Sequence, residues 1–334
     1  MPLTFIFILA IVFLRNPFSK KKYKVSLINK AALIYRSNPE IVLHDYHYYV
    51  LSGLIEQLGL LRNGSVIYFE CPGLGLLKML LPAKTIFLQI EHTLLQSSVN
   101  TTQDALVGGL FMLERQDRYL VRIAEYEKLR FADIIFDYSR INLLNIKSSP
   151  SLKSYSRRSF CVSPALYSIY TNPQNRNGVI TLFGNPDASR RKLFLGLLAD
   201  NDIAYENIRG VYFGVENIYR KAKIIVNIRQ AEGFDTLEEL RVLPALRSGA
   251  IVISEIAPYV KKTAYSKYII WGSLKELPGI IAEVERNYEE IHKRIFGDGS
   301  KNSSFVKRMI RIEKCNSLSI KRAVERLNSS QNLH

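Results

Sequence analysis

Apolar positions in this chain fall into short β-branched runs separated by longer stretches with helical spacing. Val25–Ile28 and Val66–Phe69 predict short strands, and Thr85–Ile90 predicts a clearer one. Tyr49–Leu61 carries Val50, Leu54 and Leu58 on one face and predicts a helix. Residues 110–131 predict a long helix with Leu113, Leu120, Ile123 and Leu129 aligned, and Ile134–Tyr138 and Phe160–Val162 predict strands again. Tyr170–Gly178, rich in Asn, Pro and Gly, then reads as a linker. Beyond it the alternation restarts. Val179–Phe183, Ile224–Ile228, Ile251–Ser254 and Tyr268–Ile270 predict strands. Ser189–Leu198, Arg241–Arg247, the long amphipathic Leu277–Phe296 and the basic stretch 303–327 predict helices. Strands alternating with helices on both sides of a polar linker imply two successive α/β domains with mostly parallel sheets. A large ligand is expected in the cleft between them.

The densest stretch runs from Lys223 to Glu255. A buried-strand pattern, Ile224 to Ile228, leads into a loop containing Gln230, Glu232, Gly233 and Asp235. Thr236 is placed as an N-cap, with Glu238 and Glu239 in the first helical turn. The helix continues through Leu240, Leu243 and Leu246 and stops at Ser248-Gly249, before a second strand that ends on Glu255. Its polar residues gather where strands give way to loops, the edge at which open α/β sheets hold ligands.

At 334 residues the chain exceeds one ordinary core, which fits two domains. Its 46 basic and 30 acidic residues give a formal charge of +16. The basic residues come in small groups (Lys20–Lys22, Arg157-Arg158, Arg190–Lys192, Lys261-Lys262, Lys307-Arg308), with no basic–aromatic interleaving and no Cys/His finger spacing. Nucleic acid is therefore not the expected partner; a phosphorylated ligand and a membrane surface explain the charge better. Cys71, Cys161 and Cys315 are few and far apart, as in a reducing compartment. No CxxC or HExxH motif supports a metal site. The apolar stretch Leu3 to Leu14, followed by Lys20, Lys21, Lys22 and Lys24, is shorter than the ~20 residues that span a bilayer. It reads as an anchor and, equally, as either a buried first strand or an over-called start. In each case the body is expected in the cytoplasm, attached to the inner face of the membrane if the segment inserts.

Several segments resemble GT-B glycosyltransferases, in particular bacterial family-1-like and spore-coat-maturation-related members. Ala132–Ser139 (ADIIFDYS) is similar to a late strand of the acceptor domain, and Val162–Tyr167 (VSPALY) to the crossing into the second domain. Thr181–Leu198 resembles the first strand, Gly loop and helix of the donor domain. AEGFDTLEEL and LRSGAIVISE resemble the acidic motif and the strand after it. Glu232 and Glu239 stand one position closer than the paired glutamates of retaining members, so which glutamate does what stays open.

The resemblance implies an α/β fold of two Rossmann-like domains with an interdomain cleft. Residues 25–170 would form the acceptor domain and 178–300 the nucleotide-sugar domain, flanked by an apolar and basic segment (1–24) and a basic helical tail (301–334). It also implies metal-independent transfer of a sugar from a nucleotide-sugar to a cell-envelope or other glycan acceptor, lipid-linked acceptors included, with no cofactor beyond the donor. The alternative is a non-catalytic, transferase-like binding or scaffold protein.

Several residues are candidates for this chemistry. Gly184 and Asn185 open a helix whose first turns carry Arg190 and Arg191, read either as a diphosphate clamp or as a solvated basic face. Arg229, beside Gln230 at the end of a buried strand, either enters the cleft or pairs with Glu232 or Glu255. Glu255 is placed to accept ribose hydroxyls, and Glu239 to face the ligand. Glu91 and His92 close the strand Thr85–Ile90 as candidate acceptor-site acid–base groups. Ser139, Arg140 and Asn142 fall at another strand end. His44 and His47, among Tyr46, Tyr48 and Tyr49, read as packing residues.

Overall fold

The computed structural model describes residues 23–28, 31–37, 44–61, 64–70, 83–90, 95–96, 119–120, 130–148, 152–209, 214–229 and 236–329. The first sheet begins with β1 (Tyr23–Ile28), β2 (Ala31–Arg36), β3 (Val66–Phe69) and β4 (Lys84–Gln89). A separate antiparallel pair, β5 (Leu95–Gln96) and β6 (Tyr119–Leu120), stands outside it. The sheet is completed by β7 (Ile134–Asp137) and β8 (Ser159–Cys161). The spatial order is β1-β2-β3-β4-β7-β8, with β1 antiparallel to β2 and the remaining pairs parallel.

β3 and β7 are buried at every position because both faces are covered, which is why they read as continuous apolar runs without alternation. On one face lies α1 (His44–Gln57), whose Val50, Leu51 and Leu54 pack with Leu33, Ile67, Phe69, Ile86, Ile134 and Phe136. On the other, Phe87 and Ile135 meet Ile146 of α2 (Arg140–Ser148), Leu152, and Tyr155 of α3 (Lys153–Ser156).

The second sheet contains β9 (Asn177–Thr181), β10 (Tyr205–Asn207), β11 (Ala222–Asn227), β12 (Ile251–Glu255) and β13 (Ile270–Gly272). All its pairs are parallel, in the order β10-β9-β11-β12-β13. Its helices are α4 (Ser189–Asp200), α5 (Glu216–Lys221), α6 (Glu239–Arg247), α7 (Leu277–Arg286), α8 (Tyr288–Phe296) and α9 (Ser304–Ser329). The chain is thus an α/β protein with two Rossmann-like domains.

Some elements depart from the sequence reading. Most of the helix expected over residues 110–131 lies outside the described residues; within it Tyr119 and Leu120 pair as β6, where the β-prone Tyr-Leu-Val run competes with the helical spacing. Thr236 is not the N-cap: α6 starts at Glu239, and its cap position, Glu238, makes no side-chain capping bond. The strand expected at Tyr268–Ile270 moves to Ile270–Gly272, and Ser266–Tyr268 forms a 3₁₀ turn instead. Leu277–Phe296 is two helices divided at Asn287. Neither β2, β10, α2 nor α5 was expected from the pattern.

The stretch 170–178 is packed in place. Arg176, nearly fully buried, donates to the carbonyls of Asn172 (2.7 Å), Tyr219 (3.0 Å), Ala222 (3.1 Å) and Ser248 (2.5 Å). Asn175 and Gly178 supply the positive-φ turns at 60° and 67°.

The basic helix expected near the C-terminus is not a detached tail. In α9, Phe305, Val306, Met309 and Ile312 join the core of the second sheet, whereas Ile320, Ala323, Val324 and Leu327 join that of the first. Asn316 sits between the two sets. Its Oδ1 accepts from Ser163 N (2.8 Å), and its Nδ2 donates to Ser163 O (2.7 Å) and Tyr49 Oη (2.9 Å). The helix therefore ties both domains and the crossing between them.

Candidate functional site

In the second sheet β10 lies on one side of β9, and the chain then crosses to the other side to form β11. That reversal opens a crevice at the carboxyl ends of β9 and β11, the position where doubly wound sheets hold ligands. Gly184 and Asn185 follow β9, and Asn185 Oδ1 accepts from Asp187 N (3.2 Å) to shape the turn into α4. The N-cap position of α4 is Ala188, whose methyl cannot cap the first-turn N–H groups.

Three charged groups converge beside this crevice. Glu255, 2% exposed at the end of β12, pairs through Oε1 with Arg190 of α4 and with Arg229 Nη2 (3.2 Å). Its Oε2 accepts from the Arg229 backbone N–H (3.2 Å). A buried carboxylate is costly without cations, and two guanidinium groups here leave the cluster with one net positive charge. Arg191 is used differently: it donates to Asn185 O (3.3 Å) and lies over the Phe183 ring at 5.0 Å, bracing the loop from behind. Of the two adjacent arginines, Arg190 reaches the strand ends and Arg191 holds Gly184-Asn185 in place.

At the carboxyl edge of the first sheet, β7 ends on Asp137, which is fully buried. Its Oδ1 accepts from Ser139 N (2.8 Å) and Asn142 Nδ2 (3.0 Å), while Oδ2 has no hydrogen-bond partner among the described residues. Burial, reinforced by the negative charge of Glu239, raises the Asp137 pKa well above the ordinary carboxylate value. Ser139 Oγ donates to Glu239 Oε1 (2.6 Å), and Tyr265 Oη donates to Glu239 Oε2 (2.9 Å). Burial, with Glu239 close by, also raises the Tyr265 phenol pKa, which keeps it a donor. The network joins the carboxyl edge of the first sheet to the start of α6 in the second domain. A second tie is Asp45, whose Oδ2 accepts from Tyr167 Oη (2.6 Å) and Gly214 N (2.9 Å). Immediately after β3, Glu70 adopts φ 52° and its buried carboxylate accepts from Leu88 N (2.6 Å). A non-glycine residue held in that region at a sheet edge marks a locally strained backbone.

The sequence candidates therefore separate into groups. Arg190, Arg229 and Glu255 come together, whereas Arg191, also on α4, binds the Gly184-Asn185 turn through Asn185 O. Glu239 lies apart from that cluster and contacts the first domain. Ser139 and Asn142 are in the junction network as buried residues. Glu91, His92, Gln230 and Glu232 lie outside the described residues. His47 is fully buried against the Phe69 ring, as a packing residue. Asp137 and Tyr265 were missed. Asp137 carried the signal that singled out Glu255, a carboxylate closing an apolar strand, whereas Tyr265 carried none. Among the described residues, no group of three His, Cys, Asp or Glu side chains is placed to hold a metal ion.

No protein-family model matches the chain, and no curated protein sequence matches it. Among solved structures it is similar to TarM, with 12% identity and a TM-score of 0.46 over 92% of this chain and 63% of TarM. The chain thus spans less than two thirds of TarM's length. It is also similar to the α,α-trehalose 6-phosphate synthase of Burkholderia multivorans, with 10% identity and a TM-score of 0.41 over 93% of this chain and 88% of that one. A third similar structure is CalG4, the calicheamicin glycosyltransferase, with 11% identity and a TM-score of 0.33 over 85% and 81% of the two chains.

Proposed function

We propose that this protein is a glycosyltransferase that takes a sugar from a nucleotide-sugar bound at the second sheet and passes it, without a metal ion, to a glycan acceptor held against the first. The observation that carries this reading is the Arg190–Glu255–Arg229 cluster beside the topological switch point. A leaving nucleoside diphosphate needs positive charge where its own charge develops. Arg190 and Arg229 supply it as fixed guanidinium groups, and the α4 N-terminus adds oriented N–H dipoles. Glu255 holds both arginines in place, and exchanging part of that pairing for a ribose hydroxyl keeps the carboxylate satisfied. In this reading Glu239 sets the domain junction through Ser139 and Tyr265, and Glu91 and His92 are the candidates for activating the acceptor hydroxyl.

One observation favours a second reading, a non-catalytic nucleotide-sugar or glycan-binding protein: Glu239 and Glu255 are both buried and already engaged. The deciding experiment is thermal stabilisation of the purified chain by a panel of nucleoside diphosphates without metal, followed by release of nucleotide from the matching nucleotide-sugars. A base-specific rise in Tm that disappears in Arg190→Ala, together with turnover, supports the transferase. Stabilisation without turnover on any acceptor supports the binding protein. No stabilisation by any nucleotide overturns the transferase and leaves only the glycan-binding form of the second reading.

A further inference from the structure

The outward face of α9 carries a charge pattern that neither the core nor the domain junction requires. The residues that bury α9 lie on one side, and Lys307, Arg311, Lys314, Leu318, Lys321 and Arg322 lie on the other, all exposed. At 100° per residue these six fall within an arc of about 100° centred opposite the buried stripe. Among the described residues Lys307, Arg311, Lys314 and Arg322 take part in no ion pair, and Lys321 has Glu325 at 4.0 Å. In the middle of the stripe Leu318 stands 52% exposed. Asn328 of the same helix donates to Leu60 O (2.8 Å), which brings a second large apolar side chain, 45% exposed, to its C-terminal end.

We propose that this face of α9 docks on an anionic phospholipid surface. A helix face kept only for solvation mixes both signs of charge evenly, whereas here five cations along about 22 Å of helix stand against one exposed acidic residue, Glu325, and leave a strongly positive field. The leucine among them suits entry into the headgroup boundary while the lysine and arginine stems reach the phosphates. Among the described residues no helix is long and apolar enough to cross a membrane, so α9 would lie on the surface. Because α9 packs on both domain cores, docking fixes the whole protein against the bilayer. The inference does not depend on the transferase reading.

The test is co-sedimentation of the full chain with vesicles of phosphatidylcholine alone or containing about one third phosphatidylglycerol, at low and high salt. The wild type should pellet with the anionic vesicles only and be released by about 0.5 M salt. Each basic residue near an anionic surface accounts for roughly a fivefold change in partitioning. The triple variant Arg311→Glu, Lys314→Glu, Arg322→Glu should therefore lose on the order of 100-fold or more, with an unchanged thermal midpoint showing that it folds. Leu318→Ser should reduce binding by a smaller factor. Absence of wild-type binding, or full retention by the triple variant, overturns the proposal. Tighter binding to a DNA duplex than to anionic vesicles also overturns it, in favour of a nucleic-acid surface.

Discussion

Ser139 Oγ donates to Glu239 Oε1 at 2.6 Å, joining the carboxyl edge of the first sheet to the first residue of α6 in the second domain. The hydrogen bond is buried and one partner is a carboxylate, so its loss leaves an under-satisfied group in the junction. Ser139→Ala should cost about 1.5–3 kcal/mol in denaturant unfolding, and Glu239→Ala, which also strands Tyr265, should cost more. Glu239→Gln keeps an acceptor and should lose less than Glu239→Ala. Equal losses for the two Glu239 variants would mean that volume, rather than hydrogen bonding, holds the junction.

Arg247 should be the most costly single truncation at the crossing between domains. Its side chain is buried, donates twice to Tyr167 O (2.8 and 2.5 Å) and pairs with Glu313 of α9. Arg247→Ala leaves a carbonyl unpaired and a void, with an expected loss of about 3–5 kcal/mol by urea denaturation. Glu313 is partly exposed, so Glu313→Gln should cost under about 1 kcal/mol.

Gly249 ends α6 at φ +78°, where a Cβ would meet Tyr170 O and the Arg176 guanidinium. Both the left-handed backbone and the close approach of the pinned 170–178 stretch exclude a side chain there. Gly249→Ala should lower stability by about 2 kcal/mol or more, measured as a shift in Tm. Gly196 in α4 has open space around its Cβ position, and Gly196→Ala should raise Tm slightly.

Acid should weaken the fold before it protonates most carboxylates. Burial lowers the pKa of both His47 and His292 to about 4, from 6.5 in the unfolded chain. The unfolded state takes up these protons first, so stability falls as pH drops from about 6.5 towards 4. The raised pKa of Asp137 acts in the opposite sense: its contribution is full below the unfolded value of 3.8 and shrinks as pH rises through the native one. His47→Phe should therefore flatten the decline in unfolding free energy between pH 6.5 and 4. Asp137→Asn should gain on the wild type as pH rises. A wild-type profile with no decline in the acid window would show that these histidines titrate normally.

The two-domain α/β architecture was legible because strands covered on both faces leave uninterrupted β-branched runs. Ile224–Ile228 and Ile251–Ser254 are such runs, and they lie within a residue or two of β11 and β12. Less regular pieces were not legible: β10 (Tyr-Glu-Asn) has no apolar pattern, being an edge strand of three residues, and α5 is a six-residue helix. The candidate site was partly legible. A charge closing an apolar strand pointed to Arg229 and Glu255, because the strand's burial forces such a group to be paired or to open on a crevice. The same signal was present at Asp137 and went unread.

By itself the sequence determined local matters: which segments are strands or helices, where polar groups stand relative to strand ends, and how much positive charge the chain carries. Only the tertiary structure decided the partners. Arg190 and Glu255 are 65 positions apart, Ser139 and Glu239 are 100, and Asn316 and Tyr49 are 267. Each meeting follows from the order of parallel strands and the return of α9 across both domains. Side-chain pairing over such separations depends on how whole elements pack, and a periodicity of two or 3.6 residues carries no information about that.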